Sequence, residues 1–404
     1  MLKNSPTLKS FQYRNFRLMF GANSLSNIGT WAQRVAQDWL VLELTGSAAL
    51  LGIVTGLQFA PSLVMSIYGG KLADQFSKRK LILWTSAGSG VSAGLLGVLV
   101  VTEQIQTWHV LMLAFSLGLF SSTEAPIRQS FTSELVGEKD LPNAVGLNSA
   151  NFNAGRLIGP AFAGFTIAAF GTGPAFLLNA SSYVVVIVTL LFLREDELHR
   201  QEKLEGPNSV REAFDYILNS YELRNIFIFI FLFSNFALHF QLFNALMATK
   251  EFGLSAAGFG SLGSIFAIGS ITGALLAARL NQDKRYERVM KLASVMGIAL
   301  MVLSFAPSFL IYAALLPIMG TLGLTIMISA NSFVQTTTPP ALRGRVIGLY
   351  LSVFIGSGAF SSPAMGWFCG LIGVRTAIVV AGAVTFLTPI GIHALSSRRM
   401  NAAN

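Results

Sequence analysis

The stretch Pro174-Ala-Phe-Leu-Leu-Asn-Ala-Ser-Ser-Tyr-Val-Val-Val-Ile-Val-Thr-Leu-Leu-Phe-Leu193 contains no charged residue and is closed by Arg194, Glu195 and Asp196. Its only polar groups are hydroxyls and one amide. A helix rises about 1.5 Å per residue, so a run of this length matches a hydrocarbon core of roughly 30 Å. Reading outward from it, the chain holds eleven more runs of the same kind. The first six are 17–43, 48–70, 80–102, 108–132, 142–169 and 174–193. The second six are 226–249, 256–278, 288–306, 309–333, 345–371 and 376–396. Most joints carry turn signals, among them Thr45-Gly46-Ser47, Gly171-Thr172-Gly173-Pro174, Ala306-Pro307-Ser308 and Thr338-Pro339-Pro340. The runs are too long, and alternate too little, for a closed barrel, the other spanning solution.

Composition agrees. Of the 404 residues, 53% are apolar and 12% are charged, where a soluble domain carries about 25% charged residues. Mean hydropathy is +0.60. This excludes a soluble enzyme and a disordered chain. The single cysteine, Cys369, allows no disulfide framework or zinc cluster. Residues 1–17 are basic and lack an apolar core, so no cleavable signal peptide is read there.

The charges test the span count. With both termini in the cytoplasm, all but five of the 28 Lys and Arg fall in cytoplasmic segments. Lys250 and Arg375 lie outside; Arg34, Arg128 and Arg156 lie within spans. One helix more or fewer would scramble that bias, which is the positive-inside rule. The net charge of +9 is therefore topology, and no nucleic-acid partner is expected.

The chain also repeats itself. Gly70 and Gly273, Gly155 and Gly358, and Pro160 and Pro363 are each 203 residues apart. Both halves enter the membrane in the same sense, as in transporters built from parallel repeats. The expected fold class is an all-α integral membrane protein of twelve transmembrane helices in two pseudo-symmetric six-helix bundles. The expected bundles are 1–193 and 226–404, joined by a cytoplasmic linker, 194–225. Within the linker, Ser209-Val210-Arg211-Glu212 forms a capping box. Val210, Phe214, Ile217, Leu218 and Tyr221 follow at helical spacing, so an amphipathic surface helix is expected there.

Residues 69–80 read Gly-Gly-Lys-Leu-Ala-Asp-Gln-Phe-Ser-Lys-Arg-Lys. They resemble motif A of the major facilitator superfamily, with Gly70, Asp74, Lys78 and Arg79 at its defining positions. Gln75 and Lys78 replace its usual arginines, and Ser77 a common glycine. The resemblance implies a cytoplasmic latch, with Glu134 as acidic partner; a plain basic loop obeying charge topology would look similar. Residues 155–164, Gly-Arg-Leu-Ile-Gly-Pro-Ala-Phe-Ala-Gly, are similar to motif C of superfamily antiporters. Gly155, Gly159, Pro160 and Gly164 form a small-residue stripe that permits a close helix crossing. A narrower resemblance, to the enterobactin-exporter and macrolide-efflux branch, rests on Gln335 to Tyr350, Leu242 to Leu246 and Ser255 to Gly260. It implies alternating access and proton-driven export of a siderophore or drug-like amphiphile from a bacterial inner membrane.

Five ionisable groups fall at membrane depth, where each costs roughly 2.5–3.5 kcal/mol. They are Arg34, Asp38, Glu124, Arg128 and Arg156, all in the first half. Arg34 and Asp38, and likewise Glu124 and Arg128, are four apart and share a helix face. Proton coupling is expected at Asp38 or Glu124, with Arg34, Arg128 and Arg156 as cationic partners. Intrahelical pairs that only satisfy each other are the alternative. Gln33, Gln37, Asn148, Asn151, Asn235, His239, Phe240 and Phe243 are candidate cavity residues, although packing would explain His239 equally.

No GxxxxGK[ST] loop, metal cluster or nucleophile constellation occurs, so neither ATP-driven export nor enzymatic activity is expected. No cofactor is expected beyond a proton gradient. The expected partners are a small amphipathic substrate, protons and the lipid bilayer, and a monomer is expected. Lipid or lysophospholipid flipping and nutrient uptake are rival transport readings. A membrane receptor or assembly factor is the rival outside transport.

Overall fold

In a computed structural model of the chain, residues 6–199, 210–279 and 285–403 are described. The side chain of Asp74, the surroundings of Gly70 and all of Ser209 lie outside the described residues. Every regular element among the described residues is helical. The first six α-helices are α1 (Arg14–Thr45), α2 (Ala48–Phe59), α3 (Ser62–Gln75), α4 (Lys78–Val101), α5 (Thr107–Phe170) and α6 (Thr172–Leu191). After the linker come α7 (Val210–Asn219), α8 (Tyr221–Phe236), α9 (Phe240–Leu246), α10 (Ala256–Arg279), α11 (Arg285–Ser304) and α12 (Phe309–Thr337). The chain closes with α13 (Pro340–Gly356), α14 (Gly358–Ile372) and α15 (Val374–Ala403).

Nine helical stretches among the described residues are long and apolar enough to cross a membrane. One of them, α5, has 64 residues. It would be about 96 Å long if straight, three times what a bilayer needs. It folds at Gly137, whose φ of 71° and ψ of 171° are open to glycine and costly for other residues. The two arms are the fourth and fifth spans, and the loop expected at 133–141 is reduced to this one residue. The polar α1 and the charge-headed α11 complete twelve spans, each too polar in composition to stand out on apolarity alone.

Three spans expected to be continuous are broken. The second breaks at Ala60-Pro61, because Pro61 has no N–H for the ladder. The seventh breaks between α8 and α9, where no proline or glycine stands. There Ser234 Oγ and Asn235 Nδ2 both donate to the Phe231 carbonyl, at 3.1 and 2.5 Å, and the His239 ring reaches the Asn235 carbonyl at 2.9 Å. Side-chain bonds of this kind compete with the helical ladder. The eleventh breaks at Ser357, whose hydroxyl donates to Ser234 Oγ at 2.8 Å.

The chain divides into two compact units. The first is Met1–Gly46, Leu57–Gly206 and Ser255–Ser264; the second is Ser47–Gly56, Pro207–Leu254 and Ile265–Asn404. They are not contiguous halves, and glycine packing explains the exceptions. In the first unit Gly164 meets Ala256 and Gly260 so closely that an added Cβ would lie 3.1 Å from the Ala256 carbonyl oxygen. In the second, Gly366 meets Ala48 and Gly52, with the corresponding distance 2.4 Å. Lipid tails supply no hydrophobic drive for helix association, so close backbone contact takes its place.

At one end of the first unit, Phe16, Met19, Ile82, Ile127, Phe131, Leu135, Val186 and Leu190 form a packed core. In the second unit α7 has Ala213 and Ile217 buried while Phe214 and Leu218 stay exposed. Tyr216 donates to the Thr337 carbonyl at 3.2 Å, and Glu212 meets Arg345 at 3.6 Å.

Candidate functional site

Polar side chains recur at three- and four-residue steps along α1: Asn23, Ser26, Asn27, Thr30, Arg34. That spacing places them on one helix face. The first arm of α5 repeats the pattern with Ser121, Glu124, Arg128 and Thr132, and the second arm adds Asn148, Ser149, Asn151 and Asn153. With Ser89 of α4 and Tyr183 of α6, these faces line a cavity of about 580 Å³, within the range of small-ligand sites.

Glu124 is the acid on this wall, and only 7% of it is exposed. One carboxylate oxygen takes an ion pair from Arg128, one turn along the helix. The other accepts from Thr85 Oγ1 at 2.7 Å and Ser86 Oγ at 3.1 Å, both on α4. Arg128 also donates to Asn23 Oδ1 on α1. The carboxylate therefore ties α4, α5 and, through Arg128, α1. Nearby, Thr30 and Tyr183 share a hydroxyl contact at 3.2 Å, and Asn148 donates to Thr132 at 3.2 Å.

Arg34 is held differently. Its guanidinium lies over the rings of Trp31 and Phe59, 4.9 and 5.4 Å from their centroids. Arg156, on the second arm of α5, approaches the same Trp31 ring at 5.8 Å. Cation–π contacts return about 0.5–2 kcal/mol against roughly 2.5–3.5 kcal/mol for a cation at membrane depth. The rings alone do not settle the charge. Asp38, one turn along α1, is buried at 1% exposure.

The structure thus brings Arg34, Glu124, Arg128, Asn148 and Asn151 to one cavity. Gln33 and Gln37, also expected in a cavity, lie in the packed interior of the unit. Gln33 accepts from Asn179 at 2.5 Å; Gln37 accepts from Gln58 at 3.2 Å and donates to the Val110 carbonyl at 3.4 Å. These bonds join helices. In the second unit Asn235 and His239 bond to backbone of their own span, while Phe240 and Phe243 are buried, Phe240 against Phe266 at 4.6 Å. Of motif C, Gly155 packs on Asn27 and Gly159 on Trp31 and Ala32, so the stripe seats the second arm of α5 against α1. Pro160 backs Gly260 and Gly263.

At the end of the unit that holds the motif A loop, Lys78 and Glu134 form an ion pair at 2.5 Å. Arg79 meets Glu195 at 2.6 Å and the Leu191 carbonyl at 3.1 Å. Asp140 gathers Lys9 at 2.7 Å, Tyr13 at 2.9 Å and Gln12 at 3.0 Å. The Lys9 contact and the Tyr13 hydrogen bond hold the Asp140 carboxyl below its ordinary value, and burial beside that carboxylate pushes the Tyr13 phenol up. The sequence reading missed Thr85, Ser86, Asn23, Tyr183 and this Asp140 cluster. Adjacent hydroxyls in the apolar third span and the Asn-Ser-Asn-Thr stripe of α1 were the available signals.

The staphyloferrin A transporter of Staphylococcus aureus is 25% identical over 337 residues, covering 83% of this chain and 85% of that protein. The enterobactin exporter EntS of Shigella flexneri is 25% identical over 382 residues, covering 93% and 90%. Among solved structures, the nucleoside transporter NupG superposes with a TM-score of 0.75 at 14% identity, covering 94% of this chain and 98% of that one. A bacterial homolog of the human lysosomal transporter Spinster, inward-facing and unoccupied, gives 0.72 at 15%, covering 95% and 96%. These likenesses show the major facilitator fold. The transmembrane secretion effector family model matches residues 5–404. The chain is a multi-pass membrane protein and secondary transporter, not an enzyme, and it belongs to the transmembrane secretion effector family of the major facilitator superfamily.

Proposed function

We propose that this protein exports a small amphipathic molecule of the siderophore class in exchange for protons, with Glu124 as the coupling carboxylate. The observation that carries the reading is the placement of Glu124: a nearly buried acid on the wall of a polar cavity, held by groups from its own helix and α4. A carboxylate in such a place changes its proton affinity with its surroundings, since a cation beside it favours ionisation and desolvation opposes it. Protonation removes the counter-charge of Arg128. It also turns the charge-assisted bonds from Thr85 and Ser86 into weaker neutral ones, so the tie among α1, α4 and α5 loosens. Release of the proton restores it. Asp38 is the second candidate proton site, with Arg34 and Arg156 as the cations that respond. The siderophore class is suggested by the cargo named for the enterobactin exporter and the staphyloferrin A transporter.

In this reading the first bundle moves protons. Lys78–Glu134 and Arg79–Glu195 belong to the cytoplasmic latch, both termini face the cytoplasm, and the membrane is the bacterial inner membrane. The test is reconstitution into liposomes with an internal pH dye. Supplying cargo should accelerate proton flux in the native protein. Glu124→Gln should reduce the cargo-dependent flux on the order of a hundredfold, and Glu124→Asp should retain part of it. Native-rate coupled flux in Glu124→Gln would overturn the assignment.

A further inference from the structure

We propose that the Arg34 guanidinium, framed by Trp31 and Phe59 where it opens on the polar cavity, is the anchoring site for a carboxylate group of the cargo. This rests on the transport reading above and names the chemistry of the cargo.

The two cations of the cavity wall differ in what surrounds them. Arg128 is committed, to Glu124 on one side and Asn23 on the other. Arg34 has ring faces as its close partners, and among the described residues no oxygen accepts a hydrogen bond from it. A guanidinium carries five N–H donors in a planar fork, and ring faces do not accept them as carbonyl or carboxylate oxygens do. Arg34 is a lining residue of the 580 Å³ cavity. Its donors therefore have a ligand-sized space beside them.

The surrounding charges favour an anion. Arg156 shares the Trp31 ring with Arg34. Glu124 is engaged by Arg128, Thr85 and Ser86. Asp38 lies one turn along α1 and is not among the cavity-lining residues. A cationic ligand would meet like charge at Arg34; two adjacent anionic oxygens would meet the fork in bidentate geometry. Trp31 and Phe152, in edge contact at 5.7 Å, supply an aromatic wall beside it, and Asn27, Thr30 and Asn151 supply neutral polar groups. The expected ligand is thus an oxygen-rich anion carrying an aromatic or other flat apolar part.

The test uses the full-length protein in phosphatidylcholine nanodiscs. The probes are 2,3-dihydroxybenzoate, citrate and the cation tetraphenylphosphonium, read by calorimetry and by tryptophan fluorescence, with Trp31→Phe assigning the signal. Dihydroxybenzoate should bind the native protein and quench Trp31, and tetraphenylphosphonium should do neither. Arg34→Gln should weaken anion binding by at least about tenfold. Arg34→Lys, which keeps the charge and loses the fork, should fall between. Should Arg34→Gln fail to fold, the lysine variant and the anion-against-cation comparison on the native protein decide. Repeating the titration with phosphatidylglycerol present separates two sources of the same chemistry: competition assigns the site to a lipid headgroup, and unchanged affinity assigns it to a soluble cargo. Equal binding in Arg34→Gln, displacement of the benzoate by chloride at equal concentration, or preference for the cation overturns the proposal. Anion binding that survives in a protein without proton-coupled flux would instead overturn the export reading and leave this site standing.

Discussion

The first half of the chain places five ionisable side chains at membrane depth, Arg34, Asp38, Glu124, Arg128 and Arg156; the spans of the second half hold no acid and no cation at that depth. The second half interrupts two of its spans, at residues 237–239 and at Ser357, where the first half interrupts one, at Ala60-Pro61. The 203-residue repeat brings these facts together. In that register Arg156 corresponds to Ala359, two residues from the break at Ser357. At that position one repeat carries a charge and the other lies beside an opening of its backbone. Both devices put polar groups at a depth where they are costly unless paired or wetted. Charges can titrate, and backbone carbonyls cannot. The contrast is that the groups able to titrate at that depth are concentrated in the first half.

The comparison can be broken at several points. Arg128→Leu leaves the nearly buried Glu124 without its counter-ion, which should cost about 3–5 kcal/mol. The paired change Glu124→Gln with Arg128→Gln should recover most of that loss. Unfolding of the purified protein reads both, and a mild single-variant effect would mean the charges of the first half carry little structural weight. In the second half, close backbone contact replaces charge. A Cβ on Gly269 would lie 2.0 Å from the Pro317 carbonyl oxygen, so Gly269→Ala should destabilise by about 1–3 kcal/mol. A neutral outcome there would show that these helices separate easily.

Smaller effects sharpen the account of the breaks. Asn235→Ala removes a side-chain bond that competes for the Phe231 carbonyl, so hydrogen exchange near residues 237–239 should slow. The stability change should stay within about 1 kcal/mol. Unchanged exchange would assign the break to packing alone. The smallest effect is expected at the N-terminal segment. The Asp140 carboxyl is held below its ordinary value of 3.8, chiefly by Lys9. Its contribution is therefore complete above that value and fades as pH falls through the lower, folded-state value. Cross-linking of Lys9 to a carboxyl at Asp140 should drop only in that acidic window. Loss nearer neutrality would point to another group.

Legibility followed the range of the forces involved. The span count was readable because a bilayer imposes length and apolarity on each segment, and the break at Pro61 announces itself through a missing N–H. The breaks at 237–239 and 357 carry no such residue. They arise from Ser234, Asn235, His239 and Ser357 competing for carbonyls, a contest that depends on where each side chain turns. Glu124 and Arg128 were legible as neighbours one helical turn apart. Thr85 and Ser86, which complete the site, were hidden because hydroxyls are common in membrane spans. Gln33 and Gln37 looked like cavity residues, yet tertiary partners engaged them in the interior.

The sequence by itself determined that the chain lives in a bilayer, how many times it crosses, and which half holds the ionisable groups, because each follows from local composition and spacing. Only the tertiary structure decided that Glu124 is bound to α4, that Arg34 is cradled by rings beside a cavity, and that glycine crossings distribute the chain between two units. Those outcomes depend on residues dozens to hundreds apart meeting at ångström distances, and no local pattern encodes that meeting.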